Sequence, residues 1–248
     1  MKAIILAAGQ GTRLRPMTDD RPKAMVEANG RPLLAWQLDV LGRAGIKDIV
    51  VVTGYCEEAI NIPGLRKCHN PRFQETNMVA SLFCAEDELQ DDVLIVYGDI
   101  VFESPILDAI LACKAPLATT IDKDWEDLWR LRMEDPLLDA ETLKIDSEGF
   151  ILELGRKPKS VDEIEGQYMG LIKLTNEGCQ TVRRHYNALD RTARYEDRSF
   201  DQMFMTSFLQ SLIDNGHPLR AVEVAGGWLE FDAPPDLALF KDRLPSLS

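Results

Sequence analysis

Residues 3–25 read AIILAAGQGTRLRPMTDDRPKAM, and their reading decides the fold. Ala3 to Ala8 is apolar without polar alternation, as a strand buried on both faces of a parallel sheet must be. Gly9 and Gly11 break the run, and Arg13, Arg15, Arg21 and Lys23 follow. Working outward, PLLAWQLDVLGRAG (32–45) has helical spacing closed by Gly45, and DIVVVTGY (48–55) is a second buried strand. Together they form a strand–helix–strand unit, whose strands lie parallel.

The alternation continues. NMVASLFCAEDEL (77–89) is helical and DVLIVYGD (92–99) is a strand. SPILDAILACK (104–114) is a helix with Ser104 as its cap and Pro105 in its first turn, and APLATTID (115–122) is a further strand. This predicts a doubly wound, mostly parallel α/β sheet. Beyond residue 122 the segments LWRLRM (128–133), TLKID (142–146), FILELG (150–155) and QYMGLIKL (167–174) predict antiparallel strands of a small lid insertion over residues 122–170. Helical spacing returns over 178–190 and 200–216, followed by a strand at 219–226, the stretch GWLEFD (227–232) and a last helix from Pro235. Without repeats or low-complexity linkers, residues 1–248 read as one domain.

The 248 residues carry a formal charge of −13, which argues against nucleic acid or an anionic membrane as partner. Against that background residues 13–31 stand out, with Arg13, Arg15, Arg21, Lys23 and Arg31 facing only Asp19, Asp20 and Glu27. The cysteines at 56, 68, 84, 113 and 179 form no Cys-x-x-Cys pair and read as reduced thiols. No run approaches the ~20 apolar residues that span a bilayer, and the opening run is too short for a signal peptide, so a cytoplasmic location is expected.

A glycine turn followed by cations admits three readings. A P-loop needs Gly-x4-Gly-Lys-Ser/Thr, which is absent. A dinucleotide fingerprint needs a third glycine where Leu14 stands and an acid where the second strand ends in Thr53-Gly54-Tyr55. The third is a triphosphate clamp, in which Gly9 and Gly11 let backbone N–H groups approach phosphate oxygens because a Cβ there would collide, while Arg13 and Lys23 neutralise charge. LAAGQGTRLRPMTDDRPKAM resembles the signature of the sugar-phosphate nucleotidyltransferases through Gly9, Gly11, Thr12, Arg13, Leu14, Pro16, Thr18, Pro22 and Lys23. VYGDIVFE (96–103) is similar to that family's strand ending in a metal-binding aspartate, Asp99, and GWLEFDAPPDL (227–237) to its late segment bearing a second, Asp232. The resemblance implies a Rossmann-like nucleotidyltransferase fold, Mg²⁺ on Asp99 and Asp232 with Glu230 turned away, and Lys157 at the acceptor phosphate.

Nucleotidyl transfer brings two anions together and needs positioning and positive charge rather than a nucleophilic side chain. The lack of a Ser-His-Asp or Cys-His pattern agrees with it. ETNMVASLF, GQYMGLIKL and GGWLEFD resemble the phosphocholine cytidylyltransferase-like branch, which also holds aminoethylphosphonate and phosphoglutamine cytidylyltransferases. That implies CTP as donor and a small phosphorylated or phosphonate acceptor of amine or amino-acid type. The nucleotide would lie against Leu6, Ala7, Ala8, Gly9, Gly11, Thr12, Gly54, Asn77, Ser81 and Gly98. Acids crowd residues 122–141, so carboxylates rather than an aromatic cage are expected around an acceptor amine. Asp122, Trp129 and Tyr168 are the acceptor-side candidates, with Trp129 equally suited to the core. A sugar 1-phosphate transferase using UTP or dTTP and a non-catalytic nucleotide-binding module are the alternatives.

Overall fold

In strand β1 (Lys2–Ala7) the side chains of Ile4 and Leu6 enter one apolar cluster and those of Ala3, Ile5 and Ala7 another, so the strand is buried on both faces, as its unbroken apolar run requires. The computed structural model describes residues 1–240; residues 241–248 of the expected single domain lie outside the described residues. After β1 come a short hairpin, β2 (Glu27–Ala28) and β3 (Arg31–Pro32), then α1 (Leu33–Arg43), β4 (Asp48–Thr53), β5 (Arg66–His69) and α2 (Met78–Cys84). β6 (Val93–Tyr97), β7 (Ile100–Phe102), α3 (Ser104–Ala112), β8 (Leu117–Asp122) and α4 (Trp125–Arg132) follow. The second half holds β9 (Leu143–Ile145), β10 (Ile151–Leu154), β11 (Gln167–Leu174), α5 (Asn176–Ala188), β12 (Arg194–Tyr195) and β13 (Arg198–Ser199). It ends with α6 (Met205–Asp214), β14 (Arg220–Val224), β15 (Trp228–Glu230) and α7 (Pro234–Phe240).

The main sheet has seven strands in the order β14-β8-β11-β6-β1-β4-β5, all parallel except β11. Helices α2, α5 and α6 cover one face through Leu82, Val182 and Phe208, and α1, α3 and α4 cover the other through Leu41, Leu107 and Trp125. The carboxyl ends of β1 and β6, side by side at the centre of the sheet, deliver the glycine turn and Asp99 to the same edge.

Two segments expected in the lid lie elsewhere. LWRLRM is part of helix α4, because Trp129 and Arg132, three residues apart, both turn inward, as neighbours on one helix face do and as strand alternation would forbid. QYMGLIKL is β11, an antiparallel strand inserted between β8 and β6 in the main sheet and buried along nearly its whole length. Of the segments expected in the lid, TLKID and FILELG, as β9 and β10, form a small antiparallel pair apart from the main sheet. At the start of α3, Glu103 rather than Ser104 holds the cap position, and no side chain caps the helix.

β11 changes register between Tyr168 and Ile172, and the bulge centres on Gly170 at φ +78°. A Cβ there would stand 2.4 Å from Cγ of Tyr97. Gly170→Ala is therefore expected to cost at least about 2 kcal/mol in urea denaturation, from strained backbone and a clash with a buried ring together; a variant as stable as wild type would contradict the bulge.

Candidate active site

The turn after β1 is wound around Gly11. Its φ of +61° suits glycine, and a Cβ there would lie 2.9 Å from Cβ of Lys23. Thr18 donates from Oγ1 to the Gly11 carbonyl at 2.9 Å, and the buried Leu14 anchors the turn from beneath. At Gly9 the collision foreseen from the sequence is absent from the protein itself, since nothing lies within 4 Å of a Cβ built there.

These ties carry Lys23 beneath the turn, where its Nζ lies 2.6 Å from Asp99 Oδ2 and 2.5 Å from Asp232 Oδ1. Asp232 reaches Asp99 because β15 pairs with β7, setting Glu230 opposite Ile100, and the Phe231 N–H donates to the Asp99 carbonyl at 3.2 Å. Glu230, expected to turn away, joins the group: one carboxylate oxygen from each of Asp99, Glu230 and Asp232 falls within 4.8 Å of the others. The short β15 strand ends there, and alternation sends residues 230 and 232 to the same side.

Burial alone would lower the Lys23 pKa, but the carboxylates of Asp99, Asp232 and Glu230 outweigh it and hold the ammonium charged. Glu230 is pushed up by burial and by the charge of Asp232, against Arg132 and Lys23. Asp232 is held below its ordinary range, with Lys23, Arg13 and Arg132 overcoming the opposing effect of burial. Arg13 donates from Nη2 to Asp232 Oδ1 at 2.9 Å, with 67% of its side chain still exposed. Arg132, whose side chain is 3% exposed, reaches the cluster from α4: it lies 2.9 Å from Glu230 Oε2, 3.1 Å from Asp232 Oδ2 and 3.3 Å from Asp236 Oδ1. Asp236 also accepts from the backbone N–H groups of Asp232 and Ala233.

A set of three carboxylates suits a hard divalent cation. Two observations support the fit: an ammonium already occupies the space between Asp99 and Asp232, and Asp99 Oδ1 is buried without a hydrogen-bond partner among the described residues.

Two cavities meet at this cluster, and Gly9, Lys23 and Asp99 line both. The first is a cleft lined by Leu6, Ala7, Ala8 and Gly9, by Gly98 next to them, and by Asn77 and Ser81. The second is a larger chamber lined by Gly11, Thr12, Arg13, Lys23, Asp99, Glu230 and Asp232, and also by Trp129, Asp139, Glu141, Gln167 and Tyr168.

The profile of the MobA-like NTP transferase domain matches residues 3–130. The chain belongs to this family of nucleotidyltransferases. It is 41% identical to a CTP:phosphoglutamine cytidylyltransferase of Campylobacter jejuni, over 96% of this chain and 98% of that protein. It is 40% identical to a choline-phosphate cytidylyltransferase of Streptococcus pneumoniae, over 42% of this chain and 47% of the relative. Two solved structures share the fold at about one-fifth sequence identity. A CTP:phosphocholine cytidylyltransferase from Streptococcus pneumoniae has a TM-score of 0.71 at 20% identity, covering 97% of both chains. An inositol-1-phosphate CTP transferase from T. maritima has a TM-score of 0.75 at 21% identity, covering 98% of this chain and 97% of that one.

In this NTP transferase domain the remaining sequence candidates divide. Asn77 caps α2, its side chain accepting from the Met78 N–H at 2.8 Å, and Ser81 Oγ accepts from Asn70 Nδ2 at 2.9 Å, so both are held rigidly at the cleft. Gly54 sits behind the cleft against the Ala8 carbonyl and Phe73. Trp129 and Tyr168 line the chamber, as proposed for the acceptor side. Asp122 does not: it is fully buried, accepting from Trp228 Nε1 at 2.7 Å and from the Gly226 N–H at 2.9 Å, which makes it an internal brace. Lys157 is also misplaced by the sequence reading. It lies exposed with its ammonium on the Leu137 carbonyl and is not among the residues lining the chamber. Arg15 and Arg21 pair with Asp19 and Asp20 at the surface. Sequence reasoning missed Arg132, Asp236 and the role of Glu230; of these, Glu230 alone had a local signal, its two-residue spacing from Asp232.

Removing Arg132 takes from Glu230 and Asp236 their ion-pair partner and from Asp232 one of three, so Arg132→Ala is expected to lose about 3 kcal/mol of stability in urea denaturation. A loss below about 1 kcal/mol would show that the cluster does not depend on it. A pH dependence follows from Glu141, which burial pushes up to about 7, with Glu196 from the β12–β13 hairpin and Asp139 adding to the rise. The Tyr97 and Tyr168 phenols and the Gln167 amide are its other neighbours. Since the folded value lies above the ordinary 4.5, the folded protein binds this proton more tightly than the unfolded chain, and this contribution to stability falls as pH rises from about 4.5 to about 7. Between about pH 5 and about pH 7.5, Glu141→Gln should lose less stability than wild type; equal losses would remove Glu141 as the source.

Proposed function

We propose that this chain is a Mg²⁺-dependent cytidylyltransferase that transfers CMP from CTP to a small phosphorylated or phosphonate acceptor of amine or amino-acid type, releasing pyrophosphate. One observation carries the reading: Lys23, Asp99, Glu230, Asp232 and Arg13 converge where a narrow cleft opens into a larger chamber. The choice of CTP and of the acceptor class draws on the full-length likeness to the phosphoglutamine enzyme.

On this reading the cytosine and ribose lie in the cleft against Leu6–Gly9, Asn77, Ser81 and Gly98, and the triphosphate crosses the Gly9–Arg13 turn. Arg13 and Lys23 neutralise it, and the acceptor enters the chamber from the far side. An acceptor oxygen attacks the α-phosphorus as the bond to pyrophosphate breaks. The residues supply position and charge, and no side chain need become covalently bound. Asp99, Asp232 and Glu230 would hold Mg²⁺, which supplies charge stabilisation at the phosphates. Arg132 keeps two of those carboxylates in place from behind.

Pyrophosphate release should be fastest with CTP among CTP, UTP, dTTP and ATP, and Lys23→Ala and Asp99→Ala should each lower kcat/KM at least ~100-fold, the effect of losing ~3 kcal/mol of transition-state stabilisation. A preference for UTP or dTTP would transfer the assignment to a sugar nucleotidylyltransferase. Near-normal turnover of either variant would refute the site.

A further inference from the structure

Two groups of carboxylates line the chamber. Asp99, Glu230 and Asp232 are matched by Lys23, Arg13 and Arg132, whereas Asp139 and Glu141 also line it with no cation on them, and Glu196 stands near enough to act on Glu141. Ser207 Oγ donates to Glu196 Oε2 at 2.6 Å, which fixes that carboxylate beside the chamber-lining Met205 and Thr206. Among the described residues none of Asp139, Glu141 and Glu196 takes part in an ion pair. A second, independent feature on the same chamber also lacks a partner: Trp129 is 4% exposed, and its Nε1–H has no hydrogen-bond acceptor among the described residues. A carboxylate wall without cations and a buried donor without an acceptor are both completed by a ligand carrying a positive group and an oxygen.

The kind of cation follows from what is free. These acids do not bring three ligand oxygens within 4.8 Å of one another, as Asp99, Glu230 and Asp232 do, so the wall suits an organic cation better than a metal. A quaternary ammonium would need open aromatic faces. Those nearby are largely occupied. Trp129 packs between Trp125 and Trp228, both with centroids 6.1 Å away, and has Arg132 5.3 Å from its ring. Tyr168 stands edge-to-face with Tyr97, and Arg198 lies 5.0 Å over Phe204. Among the described residues Phe204 is the one chamber-lining ring with a large exposed area, and a single ring makes no cage, whereas the carboxylate lone pairs are available together, an arrangement that favours a cation with N–H donors.

We propose that Asp139 and Glu141, backed by Glu196, are the specificity-determining residues for a primary ammonium on the acceptor, holding that end of the molecule while its phosphoryl end faces Lys23 and Arg13. The proposal rests on the cytidylyltransferase reading for its acceptor, and on the chamber alone for its charge. Burial of Glu141 supports it, since an arriving ammonium offsets the cost of ionising a carboxyl held there.

The test uses three matched compounds: 2-aminoethylphosphonate, its N-trimethyl derivative and propylphosphonate, which has a methyl group in place of the ammonium. Each is titrated calorimetrically into the wild-type protein and assayed as acceptor of CMP from CTP with Mg²⁺. The primary amine should bind at least ~10-fold more tightly than the other two. Glu141→Gln should bring the three within ~3-fold of one another, raising KM for the amine with little change in kcat and leaving propylphosphonate unaffected. Asp139→Asn serves as a second variant if Glu141→Gln fails to fold. Equal binding of the three by wild type, tighter binding of the trimethyl compound, or a preference surviving in both variants would overturn the proposal. CMP transfer without amine preference would sink the wall and leave the cytidylyltransferase reading standing, whereas amine-selective binding without transfer to any acceptor would do the reverse.

Discussion

Four carboxylates cannot be gathered out of water unless cations are gathered with them, and this requirement shapes the catalytic edge of the molecule. Asp99, Glu230, Asp232 and Asp236 come from two distant stretches of chain, and Lys23, Arg13 and Arg132 come from two more. No stretch is electrostatically complete alone. The β7–β15 pairing brings the acids together, the turn around Gly11 delivers Lys23, and α4 delivers Arg132 from the opposite side. The ion pairs need contribute little net stability compared with an apolar replacement; their consequence is that these segments must close onto one another in a single arrangement.

That arrangement explains why a strongly acidic protein opens with a basic turn. Of the four cations after Gly11, Arg15 and Arg21 are neutralised at the surface by adjacent aspartates, and only Arg13 and Lys23 face the cavities. The local excess of positive charge is thus partly cosmetic, and its functional portion is matched in the free protein by Asp99 and Asp232.

The sequence disclosed what depends on local pattern. The buried strands β1, β4, β6 and β8, the helices between them, the glycine turn and the aspartates at strand ends were all legible, because period and position carry those signals. What stayed hidden depends on tertiary pairing. LWRLRM alternates well enough to pass for a strand, and the packing of Trp129 between Trp125 and Trp228 selects the helix that buries Arg132. β11 joins the main sheet by filling the gap between β8 and β6, a choice made by partners far away in sequence. Asp122 failed as a site residue for the reverse reason: a carboxylate at a strand end is a sound candidate until a tryptophan N–H and a backbone N–H take up its oxygens.

The three cations differ in their freedom, and the difference assigns them different work. Arg132 is buried, faces three acceptors and stacks near Trp129, so displacing it would expose Glu230, Asp232 and Asp236 at once. It is a fixed counter-charge. Arg13 is two-thirds exposed and bonded to one carboxylate oxygen, and Lys23, on an unbranched stem, stands where cleft and chamber join. Arg13 can leave Asp232 without uncovering the cluster, because Lys23 and Arg132 still neutralise that carboxylate, whereas Lys23 is the ion-pair partner of Asp99 as well and its departure leaves Asp99 to another cation. On the proposed reading, Arg13 is thus the cation freed for a substrate phosphate at least cost, and the departure of Lys23 is coupled to the arrival of a metal at Asp99.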